Sequence, residues 1–280
     1  MTQEPTSTDY PPESTYPEFQ QEAPPPGQRV SITTPSSKPY VTYVLLGLNI
    51  AIFLLQSAGD YLFGYDIVAN MGLKVNELIL DGQYWRLITP MFLHGSILHL
   101  GFNMYALYIF GPGLERYYKH SRFLLLFFLG GFAGNVFSFM FSASPSLGSS
   151  TAIFGLLAAE GVFLYQNQKV FGGVARRALN NIIMIAIVNF IIGLSPGIDN
   201  WGHMGGLLGG AIFAFFGGPL LKVEGLPPDL RVVDTRESRE VITAAIVDVA
   251  IFGFLAVGTI FLRGSWGGVS FRYWILGIGD

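Results

Sequence analysis

The sequence predicts an all-α membrane protein, with a core of six transmembrane helices and a seventh helix C-terminal to it. Three observations lead there. Hydrophobic residues make up 51% of the chain and charged residues only 12%, about half the roughly 25% usual for soluble domains. Several long runs carry no charge, as a bilayer-spanning helix requires. Lys and Arg fall in alternate connecting segments, the pattern of a chain that crosses a membrane repeatedly.

Residues 1–38 are rich in Pro, Ser, Thr, Glu and Gln and lack the apolar centre of a signal peptide, so they read as a disordered cytoplasmic tail. The apolar segments follow at Val41–Gln56, Ile97–Gly111, Phe123–Phe141, Ser150–Tyr165, Asn181–Leu194 and His203–Leu221, within a core of residues 39–222. A linker of residues 223–240 leads to the seventh segment, Val241–Leu262, within a final unit of residues 241–280. Several segments fall short of the ~20 residues a lipid-exposed span needs, which is tolerable where protein surrounds a short helix or its end opens on a water-filled cavity. A soluble bundle is excluded because too few polar faces remain to coat it.

With the N-terminus in the cytoplasm, the inner segments hold Arg29, Lys38, Arg116, Lys119, Arg122, Lys169, Arg176, Arg177, Lys222, Arg231, Arg236 and Arg239, twelve of the sixteen basic residues. The outer segments hold Lys74, Arg86, Arg263 and Arg272. Span parity then starts the second, fourth and sixth helices at the outer face. His99, Ser150 and His203 lie near those three starts, in one leaflet and at similar depth.

Ser150 opens its helix after Gly148-Ser149. Main-chain N–H groups in a first turn have no intrahelical partner and face the positive end of the helix dipole, so one turn can present a nucleophile and hold an oxyanion. Taken alone, Ser149 or Ser150 also reads as a helix cap. His203, Gly206 and Gly210 share one stripe, and a glycine stripe lets a neighbouring helix come close enough for an imidazole to reach a serine. An interfacial histidine above a packing motif is the plainer alternative. His99 and Asn103, four apart on one apolar helix, are candidate oxyanion donors or an interhelical hydrogen-bond pair. There is no cysteine, which excludes disulfides, thiol nucleophiles and cysteine-based zinc sites. A net charge of −3 with no basic stripe gives no ground for nucleic-acid binding.

Trp85-Arg86, His99-x-x-x-Asn103, Glu115-Arg116, Gly148-x-Ser150 and His203-x-x-Gly206-x-x-x-Gly210 occur in order over residues 41–221. In these motifs the chain resembles the rhomboid family of intramembrane serine proteases. The resemblance implies a rhomboid-like fold and a Ser–His dyad, with Ser150 as nucleophile and His203 as general base. It implies an oxyanion site of His99, Asn103 and the Ser150 N–H, and structural roles for Trp85, Arg86, Glu115, Arg116, Gly148, Gly206 and Gly210. It also implies single-span protein substrates with small residues near the cleaved bond, and no metal or cofactor. Two positions depart from the family: Thr151 stands where glycine often follows the nucleophile, narrowing the space beside Ser150, and Phe154 stands where tyrosine often stacks on the base.

Asp199, four residues before His203, is a loop residue that the resemblance does not require as a third triad member. Glu160 lies roughly 15 Å along the helix from Ser150, beyond reach of the dyad. Glu160 and Asp248 motivate a transporter reading, which lacks the inverted repeat such a protein needs; otherwise each is neutral or hydrogen-bonded between helices. His94 and His99 are five apart, not the four of a helical zinc pair. His120 reads as a solvated cytoplasmic residue. Trp85 suits a headgroup anchor, and Arg86 suits a role binding loop carbonyls. Ser195–Asn200 reads as a lid or as a tight connection. The sequence thus predicts a multi-pass inner-membrane endopeptidase, N-terminus inside and C-terminus outside, whose partners are the bilayer and transmembrane substrates. A non-catalytic rhomboid-like binder is the alternative.

Overall fold

A computed structural model describes residues 31–34, 37–226 and 229–264. The expected tail before residue 31 and the segment after residue 264 lie outside the described residues. The elements run β1 (Ser31–Thr33), α1 (Tyr40–Phe63), α2 (Ile67–Gly72), α3 (Asn76–Leu80), two 3₁₀ turns (Tyr84–Leu87 and Thr89–Phe92), α4 (Ile97–Phe141), α5 (Ser150–Gln166), α6 (Gln168–Phe171), α7 (Gly173–Ile192), α8 (Asn200–Gly217), β2 (Leu221–Leu226), β3 (Asp229–Asp234) and α9 (Ser238–Gly264).

Among the described residues four helices, α1, α4, α7 and α9, are long and apolar enough to cross a membrane. The second and third sequence-derived spans are two arms of α4, which turns at Lys119 with φ 62° and ψ 169°. α5 is apolar but only 17 residues long. Its length makes sense from its place: α4, α5 and α8 pack most extensively on one another, and Ala152, Leu156 and Ala159 are 0% exposed. Protein, not lipid, covers this helix, so it need not match the hydrocarbon thickness. α7 is the opposite case. It buries only Ala175 and Ile182 and exposes Met184, Ile187 and Ile191, the surface of a helix facing acyl chains.

Close approach at the centre depends on missing side chains. A Cβ on Gly210 would collide with the backbone of Gly155, and one on Gly206 with the carbonyl of Thr151. The α5 and α8 main chains therefore meet almost directly, as small residues permit where lipid offers no hydrophobic drive to pack.

The described residues are mostly helical, as an all-α membrane protein requires, and add three short strands. β2 and β3 form an antiparallel hairpin with Leu221 opposite Asp234, and β1 joins β3 in parallel with Ser31 opposite Asp229. Residues 31–33 therefore belong to a sheet rather than a disordered tail, and most of the expected 223–240 linker is the hairpin and the start of α9. Charged residues in both segments mimic a solvated linker, yet Leu221 and Val232 reach the main core at 7% and 8% exposure. Arg122 Nη1 donates to Asp234 at 2.9 Å and anchors the hairpin to α4.

Buried charges fix the irregular segments. The Glu115 carboxylate, 0% exposed, accepts from Val41 N at 2.9 Å, Thr42 N at 2.8 Å and Thr42 Oγ1 at 2.6 Å, joining the start of α1 to α4. His120 Nδ1 lies 2.6 Å from the same carboxylate, so His120 is a partner of Glu115 and not simply solvated. Arg116 takes part through its carbonyl, which accepts from Ser37 Oγ at 3.2 Å. Arg86 donates to Leu73 O and Asn70 O, each at 2.7 Å, and to Gln83 Oε1 at 2.8 Å; Trp85, half exposed, donates to Met71 O at 3.0 Å. Replacing Glu115 with Ala removes the shared partner of Val41 N, Thr42 N, Thr42 Oγ1 and His120 Nδ1 at once. It should cost about 3 kcal/mol and lower the thermal midpoint in detergent by roughly 5–10 °C, whereas Thr42→Val, which removes one hydroxyl, should cost about 1 kcal/mol.

Candidate active site

Three helix starts converge here. α4 begins after Ser96, whose hydroxyl accepts from His99 N at 3.2 Å; α8 begins after Asp199, whose carboxylate accepts from Gly202 N at 3.0 Å. α5 begins after Ser149, which makes no side-chain cap bond; the Ser149 hydroxyl instead lies 3.3 Å from His94 Nε2. The approach to α5 turns at Gly148, whose φ of 133° favours glycine. Gly148 N donates to Pro90 O at 2.9 Å, fixing this turn against the preceding loop.

Ser150 Oγ and His203 Nε2 are 3.0 Å apart. The imidazole is buried at 7% exposure and lies flat on Phe154, with ring centroids 4.1 Å apart and planes 9° from parallel. Phe154 thus supplies an aromatic face to the imidazole. His203 Nδ1 is buried and meets no hydrogen-bond partner among the described residues. The Asp199 carboxylate is engaged elsewhere, by Gly202 N and by the Ser138 hydroxyl. With the ring proton on Nδ1, Nε2 can accept from the serine hydroxyl, which is the arrangement a general base needs.

Thr151 does not crowd the hydroxyl. Its side chain fills the space over two glycines: a Cβ on Gly134 would lie 2.6 Å from Thr151 Cβ, and one on Gly202 would lie 3.1 Å from Thr151 Cγ2. The glycine expected after the nucleophile is in effect displaced onto the neighbouring helices.

His99 borders the same small volume. A Cβ on Gly148 would sit 2.7 Å from His99 Nε2 and 3.5 Å from Ser150 Oγ. Asn103, one turn along α4, is 7% exposed, and its Nδ2 donor has no partner among the described residues. Such an orphaned donor is costly in an apolar surround and is available to an incoming oxygen. His94, 1% exposed, packs edge-on against His99 with centroids 5.2 Å apart. Burial, reinforced by neighbouring His99, pushes the His94 pKa down to about 3, so its ring is neutral when it meets Ser149.

Glu160 and Asp248 stand apart from this group, on α5 beyond Phe154 and on α9. The 195–200 connection is held by Asn200 Nδ2 on Phe190 O at 3.3 Å, and Trp201 packs on Phe141 at 4.7 Å. Sequence reasoning missed the His94–Ser149 contact and the partners of Asp199. The spacing of His94 from His99 speaks only to metal binding, and Lys74 in the sequence is only an outer charge.

A family profile described as "Rhomboid domain" matches residues 81–220, half of the chain. The chain is 42% identical over 176 residues to "Rhomboid protease GluP" of Bacillus subtilis (strain 168), covering 62% of this chain and 34% of that protein. It is 34% identical over 195 residues to "RHOMBOID-like protein 9, chloroplastic" of Arabidopsis thaliana, covering 66% and 44%. It is 31% identical over 183 residues to "Putative rhomboid protease YdcA" of Bacillus subtilis (strain 168), covering 63% and 87%. The chain thus spans less than half the length of the first two relatives.

Gly210→Val should force α5 and α8 apart and lower fluorophosphonate labelling of Ser150 more than tenfold. Gly253→Ala, whose methyl would meet nothing within 4 Å, should leave labelling unchanged.

Proposed function

The chain belongs to the rhomboid family, and from that membership we propose that it is an intramembrane serine endopeptidase cleaving transmembrane segments of membrane proteins. The observation that carries the reading is the 3.0 Å approach of Ser150 Oγ to His203 Nε2 at the mouths of two closely packed helices.

Topology is part of the proposal. The helices correspond to seven spans, counting the two arms of α4 separately and including the short, protein-covered α5 and α8. The bias of the basic residues supports a cytoplasmic N-terminus and an outer C-terminus, and we take the membrane to be a plasma membrane. Ser150 and His203 then open toward the outer side, where water is available. Residues 39–222 form the protease core, followed by the cytoplasmic hairpin and the seventh helix.

A substrate helix unwinds at the outer mouth and presents a carbonyl to Ser150. Ser150 Oγ bonds to the carbonyl carbon as its proton passes to His203 Nε2. The carbonyl oxygen takes the negative charge and accepts from the Ser150 N–H, Asn103 Nδ2 and His99. His203 then gives its proton to the leaving amine, the C–N bond breaks, and an acyl-enzyme remains. Water attacks the ester with His203 again taking a proton, and the proton returns to Ser150 Oγ as the new carboxylate product leaves. Oxyanion donors of this kind are each worth about 3–4 kcal/mol in other hydrolases. A pair without a third acid is supported by the unpartnered Nδ1 of His203 and by the engagement of Asp199 with Gly202 and Ser138. Small residues near the cleaved bond suit the narrow space bordered by Gly148 and His99.

Cleavage of a reporter transmembrane segment in proteoliposomes tests this. Ser150→Ala and His203→Ala should each abolish cleavage, and Asn103→Ala should slow it roughly 100-fold. Undiminished cleavage by Ser150→Ala would remove the mechanism. A wild-type chain that captures the segment without cutting it would favour the non-catalytic binder.

A further inference from the structure

Lys74 lies in the loop between α2 and α3 and is 0% exposed. Its ammonium donates to Ser144 O at 2.7 Å, Ser142 O at 3.1 Å, Asn76 Oδ1 at 3.1 Å and Ser138 O at 3.4 Å. It therefore gathers Ser138 O in the last turn of α4, which also accepts from Ser142 N, together with the Ser142 and Ser144 carbonyls just beyond the helix, near the negative end of its dipole. Its main chain also bonds Ser146 in both directions, N to O at 2.9 Å and O to N at 3.1 Å. One residue thus holds the strand of chain leading to Gly148 and Ser150 by side chain and backbone together.

The bonding continues toward the other half of the site. Ser146 Oγ lies 3.1 Å from Ser138 Oγ, and Ser138 Oγ donates to the Asp199 carboxylate. Asp199 accepts from Gly202 N through its side chain at 3.0 Å and from His203 N through its carbonyl at 3.1 Å. The chain of contacts therefore runs from the segment before the serine to the first turn of the helix carrying the histidine. Neither Asp199 nor Lys74 bonds to Ser150 Oγ or to the His203 ring.

Resting on the catalytic reading of Ser150 and His203, we propose that Lys74, Ser138 and Asp199 form one partly buried device that holds nucleophile and base in register, with Asp199 the positioning residue for His203. The chemistry of the parts fits that work. An ammonium holds several carbonyls at once, whereas a neutral side chain of the same length holds none. Burial lowers the Lys74 pKa to about 8, with Asp199 and Glu77 favouring its charge and Arg263 opposing it, so the ammonium form predominates at neutral pH. A carboxylate at an N-cap fixes a first turn, and small displacements of a reacting group cost rate out of proportion to their size.

The test uses the full chain in proteoliposomes with the reporter transmembrane segment, reading kcat, KM and the thermal midpoint. Asp199→Ala should lower kcat at least tenfold, with KM within twofold and little change in the midpoint. Asp199→Asn should recover most of that loss, because an asparagine carbonyl still accepts from Gly202 N and its amide still reaches Ser138. Lys74→Met should lower kcat by a similar factor. Should Asp199→Ala fail to fold, Ser138→Ala reads the same device with one hydroxyl removed, and kcat should drop threefold or more. Wild-type kcat in both Asp199→Ala and Ser138→Ala overturns the inference, as does an Asp199→Asn chain no better than Asp199→Ala. Ser150→Ala, run alongside, separates the two ideas: if it is inactive while Asp199→Ala and Ser138→Ala are both fully active, only the positioning inference fails.

Discussion

Everything at the proposed site depends on two backbones touching. α5 and α8 meet through Gly155, Gly206 and Gly210, with the Thr151 carbonyl facing the glycine stripe of α8. A methyl group on either α8 glycine would occupy space already taken by main-chain atoms. Within a bilayer such packing draws on dispersion and on the absence of side chains, since lipid and leucine are equally apolar. The 3.0 Å separation of Ser150 Oγ and His203 Nε2 is a consequence of this approach, because each residue sits in the first turn of one partner helix. Phe154, one turn below the serine, uses the same proximity to lie flat on the imidazole.

Around that contact the molecule uses buried charges as clamps on main chain. Glu115 collects N–H groups at the start of α1, Arg86 collects carbonyls after α2, and Lys74 collects carbonyls at the end of α4. Each binds main-chain groups at a helix end or in a loop, where peptide groups would otherwise go unpaired. Among the unpaired buried atoms of the described residues is Asn103 Nδ2, beside the proposed oxyanion position.

The helical character and the membrane habit are readable from uncharged runs, and the common start of α5 and α8 at one end of the bundle is readable from span parity. The contact between them is not, because a glycine stripe says that a neighbour comes close without saying which. The β-hairpin escapes a sequence reading because Lys222, Glu224, Arg231 and Asp234 give it the polarity of a linker, while its core contribution rests on Leu221 and Val232. His120 looks solvated until α4 turns at Lys119 and brings it to Glu115. Asp199 looks like a loop residue or a weak triad candidate; its real partners, Ser138 and Gly202, lie one on a distant helix and one on its own. Thr151 illustrates the same limit, since the glycines that accommodate it belong to α4 and α8.

The most direct test of the account is an experimental structure of the chain in lipid after reaction with a fluorophosphonate. The phosphorus should be bonded to Ser150 Oγ, the His203 ring should remain stacked on Phe154 within hydrogen-bonding distance of the adduct, and the phosphonyl oxygen should face the Ser150 N–H and Asn103 Nδ2. A phosphonate on another side chain, or one on Ser150 with His203 walled off by packed residues, would contradict the account.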